Sequence, residues 1–474
     1  MKKRIFTFSL AALFLFCCNL LVQAEVKLPA IFSDNMVLQQ NSSVAIWGWA
    51  TPGSTVRVLG SWNNKSYTAK ADNDGKWKVK IQTPAAGFTP YRLAVTQGNT
   101  ISLQNVLIGE VWFCSGQSNM EMPMKGFTGQ PIEGGPEAIN ASKNPNIRMF
   151  TVSRVSELYP QEDCKGTWEE ASPATTPNFS ATAYYFGRML NSTLNVPVGL
   201  IHSSWGGSRI EAWMDADMLK EIPEKKIPQK KEDITIVNGT PTVLFNGMVK
   251  PVLGYGIRGA IWYQGESNRG EPELYVKMFD KMVRGWRTLW EVGEFPFYYC
   301  QIAPYNYGPS NTVSGLIREA QEKGMTTTPN TGMAVLMDAN SFSCIHPPKK
   351  KDAGERMALW ALAETYGMTG IEYKSPKVVN VEITGRLVTL TTDAPNNPGL
   401  TSYGKEIKGF MVAGEDKRFY NGIAGVSGNK IYVFSTSVAK PVAVRYCFDD
   451  TIDSEIFTVG AGLPISSFRT DDWK

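Results

Sequence analysis

Apolar and polar positions follow different rules in successive parts of this chain. From residue 25 to about 108 the period is two. Lys76-Trp77-Lys78-Val79-Lys80-Ile81 alternates polar with apolar, and Val44-Ala45-Ile46-Trp47 is a brief apolar run. Both are strand patterns, the first half-exposed and the second buried. Thr51-Pro52-Gly53 and Asp72-Asn73-Asp74-Gly75 are turn sequences between them. The spacing predicts a small all-β sandwich over 25–108 built from about seven short strands.

From 109 to 370 apolar runs alternate with helical periodicity. The runs Gly109 to Cys114, Val196 to Ile201, Gly259 to Tyr263, Phe297 to Ile302 and Met333 to Met337 read as buried strands. Ala181 to Leu190, Glu273 to Leu289 and Asp352 to Tyr366 read as helices. Strand–helix alternation predicts an α/β domain with a parallel sheet and helices on both faces. Ligands of such sheets sit beyond the carboxyl ends of the strands, so the residues just after each run are the ones to inspect. The tail, 371–474, returns to strands at Val378 to Ile383, Leu387 to Thr391, Lys430 to Phe434 and Val442 to Cys447. It is expected to be a β-rich region, either separate or packed with the first sandwich.

The first residues bear on compartment. Lys2, Lys3 and Arg4 precede an apolar run from Ile5 to Val22, and Val22-Gln23-Ala24 is a small-residue cleavage pattern. This predicts a signal peptide over 1–24 and a periplasmic or extracellular protein. The run is short for a membrane span. Without those residues 45 basic side chains face 44 acidic ones, a balance that attracts neither nucleic acid nor anionic lipid. Five cysteines then remain, Cys114, Cys164, Cys300, Cys344 and Cys447. Their wide spacing suits no metal site, and an odd number cannot all pair within the chain. Cys114 and Cys344 flank the candidate blocks and either pair there or serve as small packing residues, with the second preferred.

Only two histidines occur, His202 and His346. Serine chemistry near neutral pH needs a base, and histidine is the usual one. At the first strand end, Cys114-Ser115-Gly116-Gln117-Ser118-Asn119-Met120 turns on a glycine and presents Ser118 to the cleft, although a serine there also suits a helix cap. The pattern is not the Gly-x-Ser-x-Gly elbow. At the second, Trp205-Gly206-Gly207-Ser208 lets backbone approach a ligand and offers an N–H to a developing oxyanion. At the third, Trp262-Tyr263-Gln264-Gly265-Glu266-Ser267-Asn268 places an amide, Gln264, as a further donor or a buried structural hydrogen bond. At the fourth, His346 follows Asp338 in a loop stiffened by Pro347 and Pro348, which favours it over His202 as the base.

Taken together, these four segments resemble the SGNH hydrolases, specifically the sialate O-acetylesterase family and its acetylxylan-esterase relatives. Leu244-Phe245-Asn246-Gly247-Met248 and the terminal Gly462-Leu463-Pro464-Ile465-Ser466-Ser467-Phe468-Arg469-Thr470-Asp471-Asp472-Trp473 extend the likeness over essentially the mature chain. The resemblance implies an SGNH-type, flavodoxin-like three-layer α/β/α catalytic domain over 109–370 with flanking β-sandwich regions. It implies Ser118 as nucleophile, His346 as base, and an oxyanion hole from the N–H groups of Ser118 and Gly207 and the side chain of Gln264. Many SGNH enzymes carry the acid three residues before the histidine, and here that residue is Ser343. The partner of His346 is therefore open between Asp338, a backbone carbonyl and none, with Asp338 preferred.

The leading expectation is a sialate O-acetylesterase working through an acetyl-serine, with an O-acetylated sugar or glycan as its partner and no cofactor or metal. Deacetylation of a polysaccharide such as xylan by the same machinery is the second enzyme reading. Arg209 is a candidate for the sialate carboxylate. A non-catalytic carbohydrate-binding protein is the reading from another class. Glu266 and Asp338 as a glycosidase pair would leave Ser118 and His346 without a role. Oligomeric state is not legible.

Overall fold

The computed structural model describes residues 25–308, 313–339 and 342–473. The expected signal peptide, 1–24, lies outside them. The N-terminal strands are β1 (Val37–Gln39), β2 (Ser43–Trp49), β3 (Thr55–Gly60), β4 (Ser66–Lys70), β5 (Lys76–Gln82), β6 (Gly87–Gln97) and β7 (Asn99–Gly116). In β5, Trp77 and Ile81 are buried while its lysines are not, as the alternation requires. β2 pairs antiparallel with β5, and β3 pairs with β4 and β6.

β7 continues well past this region. Its first half pairs antiparallel with β6, and its second half runs parallel to β10 (Val198–Ser204) and β11 (Gly259–Tyr263). The expected boundary at 108/109 therefore falls inside one continuous strand. β8 (Asn144–Thr151), β9 (Trp168–Ala171), β12 (Phe297–Cys300) and β13 (Thr331–Ala334) complete the central sheet, in the order β13-β12-β11-β7-β10-β8-β9. All neighbours are parallel except β8 with β9.

The helices are α1 (Ser118–Glu121), α2 (Gly135–Asn140), α3 (Ala181–Leu194), α4 (Ala216–Leu219), α5 (Pro272–Trp290), α6 (Val313–Thr327) and α7 (Lys350–Trp360). Alternation along β7 sends Trp112 and Cys114 into a core with α3 and α7, and Val111 and Phe113 into a second core with α5 and α6. The sheet is thus buried on both faces, which is why its strands read as unbroken apolar runs. From β7 the chain first builds outward through β8 and β10, then crosses to build β11, β12 and β13 on the other side. The carboxyl end of β7 is the point where this order reverses, the position where ligands of open α/β sheets bind.

The C-terminal region forms two four-stranded antiparallel sheets of its own, one containing Val378–Thr384 and Leu387–Thr392, the other Phe410–Ala413 and Ala443–Tyr446. It docks on α6. Arg318, fully buried, donates to Cys447 O at 3.0 Å, Asp449 O at 2.6 Å and Ser467 Oγ at 3.0 Å. Hydrogen bonds from Gln301 Nε2 to Ser466 Oγ at 2.8 Å and from Ser314 N to Asp450 Oδ1 at 3.1 Å, with the Arg469–Glu319 ion pair at 2.9 Å, join the same two regions. Among the described residues no helix is long and apolar enough to cross a membrane. The cysteines at 114, 164, 300, 344 and 447 are all free thiols.

Candidate active site

β7 ends at Gly116, whose φ of +141° is costly for a side-chain-bearing residue. A Cβ there would lie 2.2 Å from Tyr263 O, so this glycine lets β7 and β11 close on each other. Gln117 N then donates to Tyr263 O at 2.9 Å, and the chain turns into α1. Ser118 is the first residue of α1 and half-buried. Its N–H belongs to the first turn, which has no intrahelical acceptor.

The glycine turn after β10 lies against this serine. A Cβ on Gly206 would sit 3.2 Å from Ser118 Cβ. Gly206 N donates to the Glu121 carboxylate, which also pairs with Arg154 at 2.9 Å. Gly207 has a φ of +72°, and among the described residues its N–H has no protein acceptor. Its carbonyl accepts from Ser267 Oγ at 3.0 Å, which ties the second motif to the third. Arg209 already has two carboxylates near it, Glu211 and Glu271, each at 3.8 Å. Both also take Lys225, at 2.8 and 2.6 Å. Arg209, the candidate for a substrate carboxylate, is 41% exposed and sits beside these acids without a hydrogen bond to either.

Gln264, expected as an oxyanion donor, is placed differently. It is fully buried, and its Nε2 donates to Ser208 O at 3.2 Å and Asn268 Oδ1 at 2.8 Å. An amide has two N–H groups, so none is left for an oxyanion. Asn268 in turn accepts from Ile210 N at 2.9 Å and donates to Glu211 at 2.8 Å. Gln264 braces the glycine turn.

The histidine loop crosses back from the end of β13. His346 Nδ1 faces Gln130 Oε1 at 2.7 Å, and its ring meets Phe127 edge-on at 5.2 Å. An amide oxygen only accepts, so Nδ1 carries the proton and Nε2 is left as the basic nitrogen. Burial, with the Lys350 charge as the second cause, lowers the pKa to about 4, so the ring is neutral at pH 7.

Asp338 does not supply the triad acid. Its two oxygens each take an Arg356 nitrogen at 2.7 Å, a bidentate pair that directs the carboxylate into α7. Glu266 and Asp338 also serve different partners, since Glu266 Oε1 accepts from Asn119 Nδ2 at 2.6 Å. His202 lies within β10, with Nε2 2.6 Å from Ser204 Oγ, and burial lowers its pKa to about 4. It is a packed sheet residue.

Three site residues were missed from sequence. Asn119, directly after Ser118, donates to Ile345 O at 3.1 Å and so connects the Ser118 turn to the histidine loop. Lys350 Nζ donates to Asn119 Oδ1 at 2.6 Å and to Pro347 O at 2.9 Å. Gln130 lies in a stretch with no strand-end motif, so nothing in the pattern singles it out. Among the described residues no cluster of three or more histidine, cysteine or acidic side chains suits a metal. A hydroxyl at the switch point, a neutral imidazole and open backbone N–H groups are the parts of acyl transfer through a serine.

Residues 108–346 match the family described as "Carbohydrate esterase, sialic acid-specific acetylesterase". The chain is 30% identical over 430 residues to the sialate O-acetylesterase of Mus musculus, covering 77% of this chain and 78% of that one. It is 30% identical to the Homo sapiens sialate O-acetylesterase over 404 residues, 75% of this chain and 74% of that one. Among solved structures it is similar to a carbohydrate acetylesterase from Xanthomonas citri. The TM-score is 0.83 at 35% identity, covering 94% of this chain and all of that one. Fold, site and relatives define a carboxylic ester hydrolase. The chain belongs to the sialic acid-specific acetylesterase family of carbohydrate esterases.

Proposed function

We propose that this protein removes O-acetyl groups from sialic acids through an acetyl-Ser118 intermediate, on an SGNH-type catalytic domain. What supports the mechanism is the packing of the glycine turn against Ser118, the open Gly207 N–H, the hydrogen bond from Asn119, next to Ser118, to Ile345 O, next to His346, and a histidine whose Nδ1 is held by Gln130. His346 Nε2 takes the Ser118 hydroxyl proton as Oγ attacks the acetyl carbonyl. The N–H groups of Ser118 and Gly207 hold the oxyanion, each worth about 10²–10³ in rate. The sugar oxygen leaves with the proton from His346. Water, giving a proton to the same nitrogen, then attacks the acetyl carbon; the Ser118 Oγ–acetyl bond breaks, Oγ takes the proton back from His346, and acetate leaves. Gln130 Oε1 holds the Nδ1 proton throughout, so a serine–histidine pair with a neutral orienting amide replaces the carboxylate triad.

The family match and the mammalian relatives support sialate as the sugar. We further propose export, from the charge and cleavage pattern of residues 1–24, and catalysis within 109–370 flanked by β regions. The test is acetate release from 9-O-acetylated sialic acid and from acetylated xylan by wild type, Ser118→Ala and His346→Ala. Release from the sialate, lost in both variants, is expected. Activity surviving Ser118→Ala would overturn the mechanism, and xylan as the sole substrate would overturn the sugar.

A further inference from the structure

A lysine with 1% of its surface exposed is expensive, because its ammonium has given up water. Lys350 recovers two hydrogen bonds, to Asn119 Oδ1 and Pro347 O, and faces the Tyr263 ring at 5.8 Å. Among the described residues it has no salt bridge. A methionine of similar length would pack here at lower cost. The ammonium is kept where it joins two segments.

Asn119 is the junction. Its Oδ1 accepts from Lys350, and its Nδ2 donates to Glu266 Oε1 and Ile345 O. A cation on the oxygen and a carboxylate on the nitrogen allow this amide only one orientation. Ile345 and Pro347 are the residues on either side of His346. One carbonyl is held by Asn119 directly, the other by Lys350, which itself holds Asn119. The backbone of the base is therefore bracketed and tied to the residue that follows the nucleophile. Glu266 brings the third strand end to the same point.

We propose that Lys350 is a positioning residue for the esterase reaction, locking the carbonyls that flank His346 to Asn119 behind Ser118. This rests on the reading of Ser118 and His346 as nucleophile and base. Burial is the main cause of the lowered histidine pKa, and the lysine charge lowers it further. The other groups facing the ammonium are Glu266, Cys300 and Cys344, and burial brings its own pKa down to about 7. The groups facing the imidazole are Lys350, Gln130 and Phe127.

The experiment uses the full chain with 4-nitrophenyl acetate and 9-O-acetylated sialic acid, comparing wild type, Lys350→Met, Lys350→Gln and Ser118→Ala. Lys350→Met is expected to lower kcat by about 10²-fold, the effect of a misplacement near 1 Å, with KM within about threefold. Its acid limb in kcat/KM should move up toward the ordinary histidine value of about 6.5, and its urea midpoint should stay level or rise. Lys350→Gln keeps a donor and should recover part of kcat. It also serves alone if Lys350→Met does not fold. A folded variant with wild-type kcat and an unmoved acid limb would overturn the proposal. Activity surviving Ser118→Ala would instead remove the reading beneath it, so the two failures are told apart.

Discussion

Replacing Gly116 by alanine tests whether the close approach of β7 and β11 builds the site. The added Cβ would lie 2.2 Å from Tyr263 O, 2.8 Å from its carbonyl carbon and 2.9 Å from its nitrogen. Carbon contacts are ordinarily about 3.5–4.0 Å, so the strand ends must part by roughly 1 Å. All three atoms are backbone, and no side chain can rotate out of the way. A non-glycine residue at a φ of +141° adds about 1–3 kcal/mol of strain, and forcing atoms into the packed layer about 1–3 kcal/mol more. A loss of about 2–6 kcal/mol leaves a protein of ordinary stability folded but weakened. Activity should suffer more, because Ser118 stands two residues further on, and an ångström of displacement costs about 10²-fold. The assay is kcat/KM on 4-nitrophenyl acetate beside urea unfolding, with Gly270→Ala as control, where a Cβ meets open space. Wild-type rate and midpoint in Gly116→Ala would refute the argument.

Four further outcomes follow from the same geometry. Asp338→Asn should leave kcat within about threefold while lowering the unfolding free energy by about 1–3 kcal/mol, since Arg356 loses its bidentate partner but keeps Val335 O and the nearby Asp352, and a loss of about 10⁴ in kcat would restore Asp338 as the acid. Gln130→Leu removes the acceptor of the Nδ1 proton and should cost about 10²-fold in kcat with a normal urea midpoint; unchanged kcat would show that the ring needs no such anchor. The acid limb of kcat/KM in wild type should lie well below 6.5, near the histidine value of about 4, and a limb at 6.5 would contradict the burial argument. His202 also titrates near 4 when folded and near 6.5 when unfolded, so the unfolded chain binds the extra proton between those values. Unfolding free energy should therefore fall as pH drops from 6.5 to 4, by an amount on the order of 3 kcal/mol for this group, and a flat profile over that window would contradict it.

Several buried polar residues around the site hydrogen-bond to another segment of chain, while Gln264 Oε1 and Glu266 Oε2 have no partner among the described residues. Gln264 spans to Ser208, Asn268 to Glu211, and Asn119 to Ile345 and Glu266. Such networks specify one arrangement where apolar packing alone tolerates several. The site is consequently built from four separate strand ends held in register by amides, with the C-terminal sheets docked behind through Arg318.

Local chemistry along the chain was enough to place the strands that matter. Gly259–Tyr263 was read at its observed limits, because a strand buried on both faces must be apolar throughout and a turn must interrupt it. Of the two histidines in the chain, the pattern put one in the glycine-turn segment and one in a proline-stiffened loop and preferred His346 as the base; the structure places His202 inside β10. What the pattern cannot hold is the pairing of side chains far apart in sequence. Asp338 looked free to reach His346, but Arg356 lies one helix further on and takes both oxygens. Gln264 looked like a donor, but Asn268 and Ser208 use up its two N–H groups. Gln130 is 216 positions from His346 and carries no local mark of its role. A strand or a turn is decided by neighbours along the chain, whereas a polar group's partner is decided by whatever the folded chain brings within about 3 Å.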